Sequence, residues 1–312
     1  MKKRILITGG AGFIGINTAN YLLTKKYKVI LFDNLSRKGS EENLKWLKKT
    51  WGKQFAFIQG DVVTDRTRLN RAVADVDAVI HLAAQVAVTM SVQDPHHDFL
   101  VNAQGTLHVL EAARICSNRP LVIYASTNKV YGNMDRAEVI LTDAGYRYKQ
   151  FEAGIAEYHG VDFHSPYGCS KGAADQYVHD YARMYGLPTV VFRQSCIYGP
   201  HQFGVEDQGW VAWFVISSLL GRPITIYGDG HQVRDVLHVQ DLARLYEMAI
   251  RNPKKVSGHI YNIGGGIKEA SSVLGAIDRI EKMIGKKIPY SFSNWRPGDQ
   301  KVYISHIDKI KQ

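Results

Sequence analysis

Cysteine is scarce in this chain. Three residues in 312, Cys116, Cys169 and Cys196, are an odd number without metal-like spacing, which leaves no disulfide framework and no cysteine metal site. They read as reduced thiols of a cytoplasmic protein, packed as small side chains. Long apolar runs are missing as well. None approaches the roughly 20 residues of a membrane helix. The opening Met1-Lys-Lys-Arg4 is basic, but Ile5-Leu-Ile7 is too short for the apolar region of a signal peptide. Repeats and low-complexity tracts are absent. Acidic residues are outnumbered by basic ones, 29 against 39, for a formal charge of +10. The excess sits in scattered pairs such as Lys25-Lys26, Lys48-Lys49 and Lys286-Lys287, with no basic stripe interleaved with aromatics. That pattern argues against nucleic acid and for solvated helix ends, with some attraction for a phosphate-bearing small molecule.

What is present is a regular alternation. Arg4–Thr8, Lys28–Phe32, Phe55–Ile58, Ala78–His81, Leu121–Ala125 and Thr189–Phe192 are short β-branched runs that read as strands. Between them Ile14–Leu23, Phe99–Ile115 and the stretch from Tyr167 to Tyr185 carry helical spacing. Strands alternating with helices predict an α/β fold, a Rossmann-type doubly wound parallel sheet. After about Arg193 glycine, proline and aromatics become denser, which suggests a smaller carboxyl-terminal lobe that binds substrate. The expected division is 1–193 with 232–263 for the dinucleotide domain, and 194–231 with 264–312 for the lobe. Residues 133–162 lack periodicity and read as an insertion near the active site.

The run Thr8-Gly-Gly-Ala-Gly-Phe-Ile-Gly15 lies between the first strand and the first helix. Gly9 permits the tight turn, Gly12 lets backbone approach a pyrophosphate, and Gly15 lets helix and strand pack closely. Phe13 and Ile14 open the helix, whose free N–H groups and dipole suit phosphate. Asp33 ends the second strand, where a carboxylate accepts from adenosine ribose hydroxyls and repels the extra phosphate of NADP, so NAD is the expected cofactor. Asn34, Ser36 and Arg37 follow it; Arg37 tempers the preference, since an arginine can receive that phosphate. Gly60-Asp61-Val62 follows the third strand and is placed to meet the adenine. The bland alternative for Asp33 is a cap or turn residue.

Tyr167 and Lys171, four apart in Ser165-Pro-Tyr-Gly-Cys-Ser-Lys171, fall on one helix face. A phenol near pKa 10 is a poor base, but an ammonium and a cationic nicotinamide beside it favour the phenolate. It can then take a proton from a sugar hydroxyl as hydride leaves the same carbon. Thr127, past the fifth strand in Ala125-Ser-Thr-Asn-Lys-Val-Tyr-Gly132, is placed to hold the substrate oxygen. Tyr-x-x-x-Lys alone is common on helices; the glycine turn and the strand-end threonine give it meaning.

These residues resemble the extended short-chain dehydrogenase/reductase family of nucleotide-sugar epimerases and dehydratases, over nearly the whole chain. The resemblance implies NAD, held by Gly9, Gly12 and Gly15, Asp33, the stretch His81-Leu82-Ala83-Ala84-Gln85, Asn102 and Lys171, with Thr127, Tyr167 and Lys171 as the catalytic set. Dehydratases of the family carry Asp-Glu after the threonine, and decarboxylases a nearby glutamate. Asn128 and Lys129 stand here instead, which argues against elimination. Phe32–Gly39, Ser126–Gly132, Asp162–Gln176 and Asp207–Trp210 look most like a branch that inverts carbon 2 of a CDP-linked sugar. Direct oxidation at carbon 2 is preferred over oxidation at carbon 3 with proton exchange, because no dedicated second base is evident; His164 reads as structural. A UDP-sugar 4-epimerase, a net NAD(P)H-dependent reductase and a non-catalytic sensor are the competing readings. The resemblance further assigns Gln85, Thr127, Asn128, Gln208, Arg234 and Arg296 to a nucleotide-diphosphate sugar, the two arginines as pyrophosphate clamps. Surface ion pairs, Arg234 with Asp235 or Arg296 with Asp299, are the alternatives. Cys196 falls where many relatives have asparagine. Relatives usually run beyond Lys311-Gln312, which implies a shortened chain or a missing last helix. A homodimer through a four-helix bundle is expected, and no membrane association.

Overall fold

The computed structural model describes residues 2–134, 137–296 and 298–312. Its first half alternates β1 (Arg4–Thr8), α1 (Phe13–Thr24), β2 (Lys28–Asp33), α2 (Ser40–Trp51), β3 (Phe55–Gln59), α3 (Arg66–Ala74) and β4 (Ala78–His81). Then come α4 (Val88–Gln93), α5 (Pro95–Phe99), α6 (Gly105–Ile115), β5 (Leu121–Thr127), β6 (Val139–Thr142), β7 (Gly145–Tyr148), α7 (Ser165–Tyr185), β8 (Thr189–Gln194) and β9 (Cys196–Tyr198). The rest is α8 (Trp210–Leu219), β10 (Ile224–Tyr227), β11 (Val233–His238), α9 (Val239–Arg251), α10 (Pro253–Val256), β12 (His259–Ile263), β13 (Ala270–Ser272), α11 (Val273–Ile284), β14 (Tyr290–Ser293), β15 (Val302–Tyr303) and α12 (Asp308–Lys311).

Seven parallel strands form the main sheet in the order β12-β8-β5-β4-β1-β2-β3. Side chains on a strand alternate between faces, and here both faces are covered. Ile5, Ile7, Ala78, Ile80, Leu121 and Ile123 pack into the layer of α1, α2 and α9. Leu6, Val79, Val122 and Tyr124 point the other way, into the layer of α3, α6 and α7. Each buried aliphatic side chain contributes about 1.5–3 kcal/mol. The strand order reverses between β1 and β4, which opens a crevice at the carboxyl ends of those strands.

The helix expected over Phe99–Ile115 is interrupted. A wider π-helical turn, Leu100–Gln104, separates α5 from α6. From the first turn of α6 the Thr106 hydroxyl donates to the Asn102 carbonyl of this turn at 2.5 Å, in competition with the backbone ladder. The turn sets Asn102 against the loop after β4.

Smaller sheets sit over the crevice. β11 pairs with β9, β13 and β15, and β10 with β14. The segment expected as an irregular insertion is partly regular: β6 and β7 form an antiparallel hairpin. Tyr148 and Ile155 are buried with Val233, Val302 and Tyr303, and the Tyr148 hydroxyl donates to the Val302 carbonyl at 2.7 Å. Its burial partners include Val130 and Tyr131 but also residues from far along the chain, Val233, Val302 and Tyr303, so local periodicity alone does not announce it. Residues 135 and 136 of that segment lie outside the described residues. No helix among the described residues is long and apolar enough to cross a membrane.

Candidate active site

A cavity of about 620 Å³ occupies the crevice. Gly9, Gly12, Phe13, Ile14 and Gly15 form one wall, where β1 turns into α1. Gly9 has φ +67°, and a side chain there would meet the Ala83 backbone N at 2.7 Å. A Cβ on Gly15 would lie 2.4 Å from the Gly9 carbonyl oxygen. The first-turn N–H groups of α1 lack intrahelical partners by helix geometry and face this cavity. Asp33 is buried, and its carboxylate accepts from Ala11 N at 3.0 Å and Leu35 N at 2.8 Å. Burial raises its pKa, and these backbone donors oppose the rise. Asn34, Ser36, Arg37, Asp61 and Val62 continue the wall, and Leu82, Ala83, Ala84 and Gln85 close it from β4. A bare-backbone cradle beside a carboxylate fits a dinucleotide.

Thr127, Tyr167 and Lys171 line the same cavity. Thr127 ends β5; Tyr167 and Lys171 lie on the first turns of α7, whose backbone is fixed there by Ser91 Oγ accepting from Tyr167 N at 3.1 Å. The expected phenolate is not favoured by the protein's own groups. Burial pushes Tyr167 up to about 12, with the Thr127 hydroxyl opposing and Asp98 adding to the rise. Burial also drives Lys171 down to about 7, opposed by Asp175 and Asp98. The Lys171 ammonium donates to the Ala125 carbonyl at 2.7 Å and lies 4.3 Å from the Tyr124 ring centre. His81, sealed between the Thr8 and Thr106 hydroxyls at 2.7 and 3.0 Å, is pushed down to about 3 and stays neutral.

A second cleft of about 200 Å³ adjoins the first and shares Cys196, Gln208, Gly209 and Trp210 with it. Arg234 and Arg296 line it. Arg234 makes no ion pair with Asp235, whereas Arg296 does form an ion pair, the alternative expected for it, though with Asp207 rather than Asp299. Arg234 donates to the carbonyls of Val233 at 2.8 Å and Gln300 at 2.6 Å, while Asp235 turns away to Ser195 and Gly266. Arg296 pairs with Asp207 at 3.0 Å and lies 3.7 Å from the Tyr227 ring centre. Asp299 pairs instead with Lys129, 3.8 Å away, and Lys129 also donates to the Gly298 carbonyl at 2.9 Å. Burial lowers Lys129 to about 8. Gln208 bonds Arg37 and so joins the two cavities.

Three expected contacts are displaced. Asn102 lines neither cavity; it is buried, and the π-helical turn directs its side chain to Gln85, Asp98 and Ser170. Asn128 also lines neither, because the tight turn after β5 folds it against Thr127, whose hydroxyl donates to it at 3.3 Å. Gln85 does line the cavity, but both its amide hydrogens are used, on Ala87 O at 2.8 Å and Asp98 at 2.9 Å. No described residue of 133–162 lines either cavity, and His164 lines neither. Asp98 escaped the sequence reading. Its spacing of four before Asn102 and its place beside α7 were the only signals, and the second depends on the fold.

Comparisons with known proteins agree with this geometry. Residues 5–264 match the model of the NAD dependent epimerase/dehydratase family. The chain is 44% identical to CDP-paratose 2-epimerase of Salmonella typhi, across 98% of this chain and 92% of that protein. It is 31% identical to a putative UDP-glucose 4-epimerase of Methanocaldococcus jannaschii, across 97% and 89%. The crystal structure of Thermus thermophilus UDP-glucose 4-epimerase complexed with NAD superposes with a TM-score of 0.82 at 31% identity, across 99% of this chain and 91% of that one. A dTDP-glucose 4,6-dehydratase from Streptomyces venezuelae with NAD bound superposes with a TM-score of 0.83 at 28% identity, across 99% and 89%. With a glycine cradle, a buried strand-end carboxylate and a Thr-Tyr-Lys set in one cavity, the chain belongs to the NAD dependent epimerase/dehydratase family.

Proposed function

We propose that this chain is a nucleotide-sugar epimerase that inverts carbon 2 of a CDP-linked sugar, in the manner of CDP-paratose and CDP-tyvelose interconversion. One observation carries the reading: 44% identity along 98% of the chain to a CDP-paratose 2-epimerase. The site agrees with it. Water elimination needs a carboxylic acid and a carboxylate after Thr127, and an amide and an ammonium stand there.

NAD, when bound, supplies a reversible hydride acceptor. Gly9, Gly12 and Gly15 would hold its pyrophosphate, Asp33 its adenosine ribose, and Lys171 its nicotinamide ribose. Thr127 holds the reacting sugar oxygen. Tyr167 takes the hydroxyl proton as the carbon gives up hydride, and the sugar becomes a planar ketone. Once the ketosugar has turned its opposite face to the cofactor, Tyr167 would restore the proton to the sugar oxygen. Burial holds Tyr167 at about 12 with Lys171 already in place, so the lowering that a base needs would come with the positive charge of bound NAD. Arg234 and Arg296 clamp the diphosphate in the second cleft, with Gln208 between the two cavities.

The enzyme works in the cytoplasm as a homodimer. Its three cysteines are free, and Ile115 of α6 with Tyr177 and Met184 of α7 stand 65, 51 and 69% exposed, an apolar face for pairing α6 and α7 with a second copy. A panel of CDP-, UDP- and GDP-sugars followed by NMR tests the function. Inversion at carbon 2 of a CDP-sugar without net absorbance change at 340 nm is expected. Inversion at carbon 4 of a UDP-sugar, or net oxidation of NADH, would replace the reading.

A further inference from the structure

Behind the proton-transfer pair stands a buried carboxylate that forms no salt bridge among the described residues. Asp98 is fully buried. It accepts from Ser170 Oγ at 2.5 Å, Gln85 Nε2 at 2.9 Å and Asn102 Nδ2 at 3.1 Å. The orientation of these donors follows from backbone groups. The Ala87 N–H fixes Gln85 Oε1 as acceptor, so Nε2 must face Asp98. The Gln85 N–H fixes Asn102 Oδ1 as acceptor, so Nδ2 must do the same. Asn102 Nδ2 also donates to Ser170 Oγ, whose own hydrogen goes to Asp98 at 2.5 Å, with the Tyr167 carbonyl the more distant acceptor at 3.2 Å. Three donors around Asp98 favour its ionised form, against burial, which raises its pKa.

Burying a charge among neutral donors is costly, and a neutral amide would fill the place more cheaply. The charge therefore needs a use. Ser170 lies between Tyr167 and Lys171 on α7, so the carboxylate is tied to the helix that presents both. Asp175 also acts on Lys171, ahead of Asp98, but it belongs to a different network. Asp175 is spent on Arg193 at 2.9 Å and on Ser126 at 2.7 Å. His81 is neutral. His97 shares α5 with Asp98 and acts on it weakly, and the Tyr124 phenol, which feels Asp98, is raised well above its ordinary range. Lys171 is the cation of the pair that feels the Asp98 charge.

We propose that Asp98 is a positioning residue for the epimerisation, the fixed counter-charge of the Tyr167–Lys171 pair and the anchor that holds α7 to the Gln85 loop and to the π-helical turn at Asn102. This rests on Tyr167 and Lys171 being the proton-transfer set. Its charge adds to that of Asp175 in opposing the discharge of Lys171 by burial.

The test is a titration of Lys171 in the NAD-bound full-length chain, by NMR of lysine labelled with ¹³C at Cε and assigned against Lys171→Met. Asp98→Asn is expected to lower the Lys171 midpoint by about one pH unit and to move the pH–rate profile to lower pH with it. Asp98→Glu keeps the charge and is expected to keep the wild-type midpoint. Ser170→Ala removes one donor and is expected to lower thermal stability without moving it. An Asp98→Asn chain with an unmoved Lys171 midpoint and only a lower Tm would make Asp98 merely structural and overturn the proposal. If Asp98→Asn does not fold, the reciprocal measurement decides. The Asp98 carboxyl, followed by ¹³Cγ NMR, must titrate at higher pH in Lys171→Met than in wild type, and an unmoved carboxyl overturns the proposal. Both titrations read without turnover, so an error in the assigned sugar would leave them intact.

Discussion

The two halves of the site are held together differently. The dinucleotide half is backbone on backbone: the Gly9 N–H donates to the Phe32 carbonyl at 2.8 Å, and Gly15 packs directly on Gly9 and Gly10. The sugar-nucleotide half is loop on loop, stapled by long cationic side chains. Lys129 reaches the Gly298 carbonyl, Arg234 the Gln300 carbonyl and Arg296 the Glu206 carbonyl. Regular elements with short-range geometry carry the chemistry common to the family. Clips between residues 66 to 169 apart in sequence shape the second cleft, the proposed seat of the sugar nucleotide. Such a region is expected to open locally more easily than the sheet below it.

That contrast can be broken by substitution, and the largest effect belongs to the chemistry itself. Tyr167→Phe is expected to cut turnover by about 10²–10⁴-fold while NAD stays bound. Steady-state rates and the cofactor content of the purified protein check it; unchanged turnover would remove Tyr167 from its role. Next in size is Gly15→Ala. Its Cβ has backbone 2.4 Å away, which cannot move aside cheaply, so overpacking of about 1–3 kcal/mol and loss of bound NAD are expected, read by thermal melting and cofactor retention. Arg234→Met should act on the other half alone. A lost charge-assisted hydrogen bond of about 1.5–3 kcal/mol implies a KM raised roughly tenfold or more, with NAD binding unchanged and faster amide exchange around Gly298–Gln300. Equal damage to NAD affinity would erase the distinction between the halves.

The smallest effect is a pH dependence of stability. Burial lowers Lys129 to about 8 from its ordinary value near 10.5. Between those pH values the unfolded chain holds a proton that the folded chain has released, so stability rises with pH there; below about 8 the cost of the buried ammonium is fully present. Lys129→Met is expected to flatten that rise in Tm between about pH 8 and pH 10. A rise of unchanged steepness would show that Lys129 does not carry it.

Much of the dinucleotide half was legible because its signals are local. Gly9 to Gly15 encode a turn, Asp33 marks a strand end, and the spacing of four from Tyr167 to Lys171 encodes a shared face. The sugar-nucleotide half was legible only as residue types. That Arg234 belongs near a phosphate could be guessed, but that Asp235 turns away from it depends on strand β11 pairing with β9 and β13. The hairpin of β6 and β7 was missed because Tyr148 and Ile155 are buried in part by residues from Val233 onward. Asn102 was assigned to the cofactor and proved to face Asp98, because a helix read by period 3.6 carries a π-helical turn at that point.

The fate of hydrogen at carbon 2 bears most directly on the proposed reaction. A CDP-sugar deuterated at carbon 2 would be converted in ordinary water and the product analysed by NMR. Deuterium retained at an inverted carbon 2 is expected, because the same hydride leaves one face and returns to the other. Exchange of that deuterium for solvent hydrogen, or inversion at any other carbon, would contradict it.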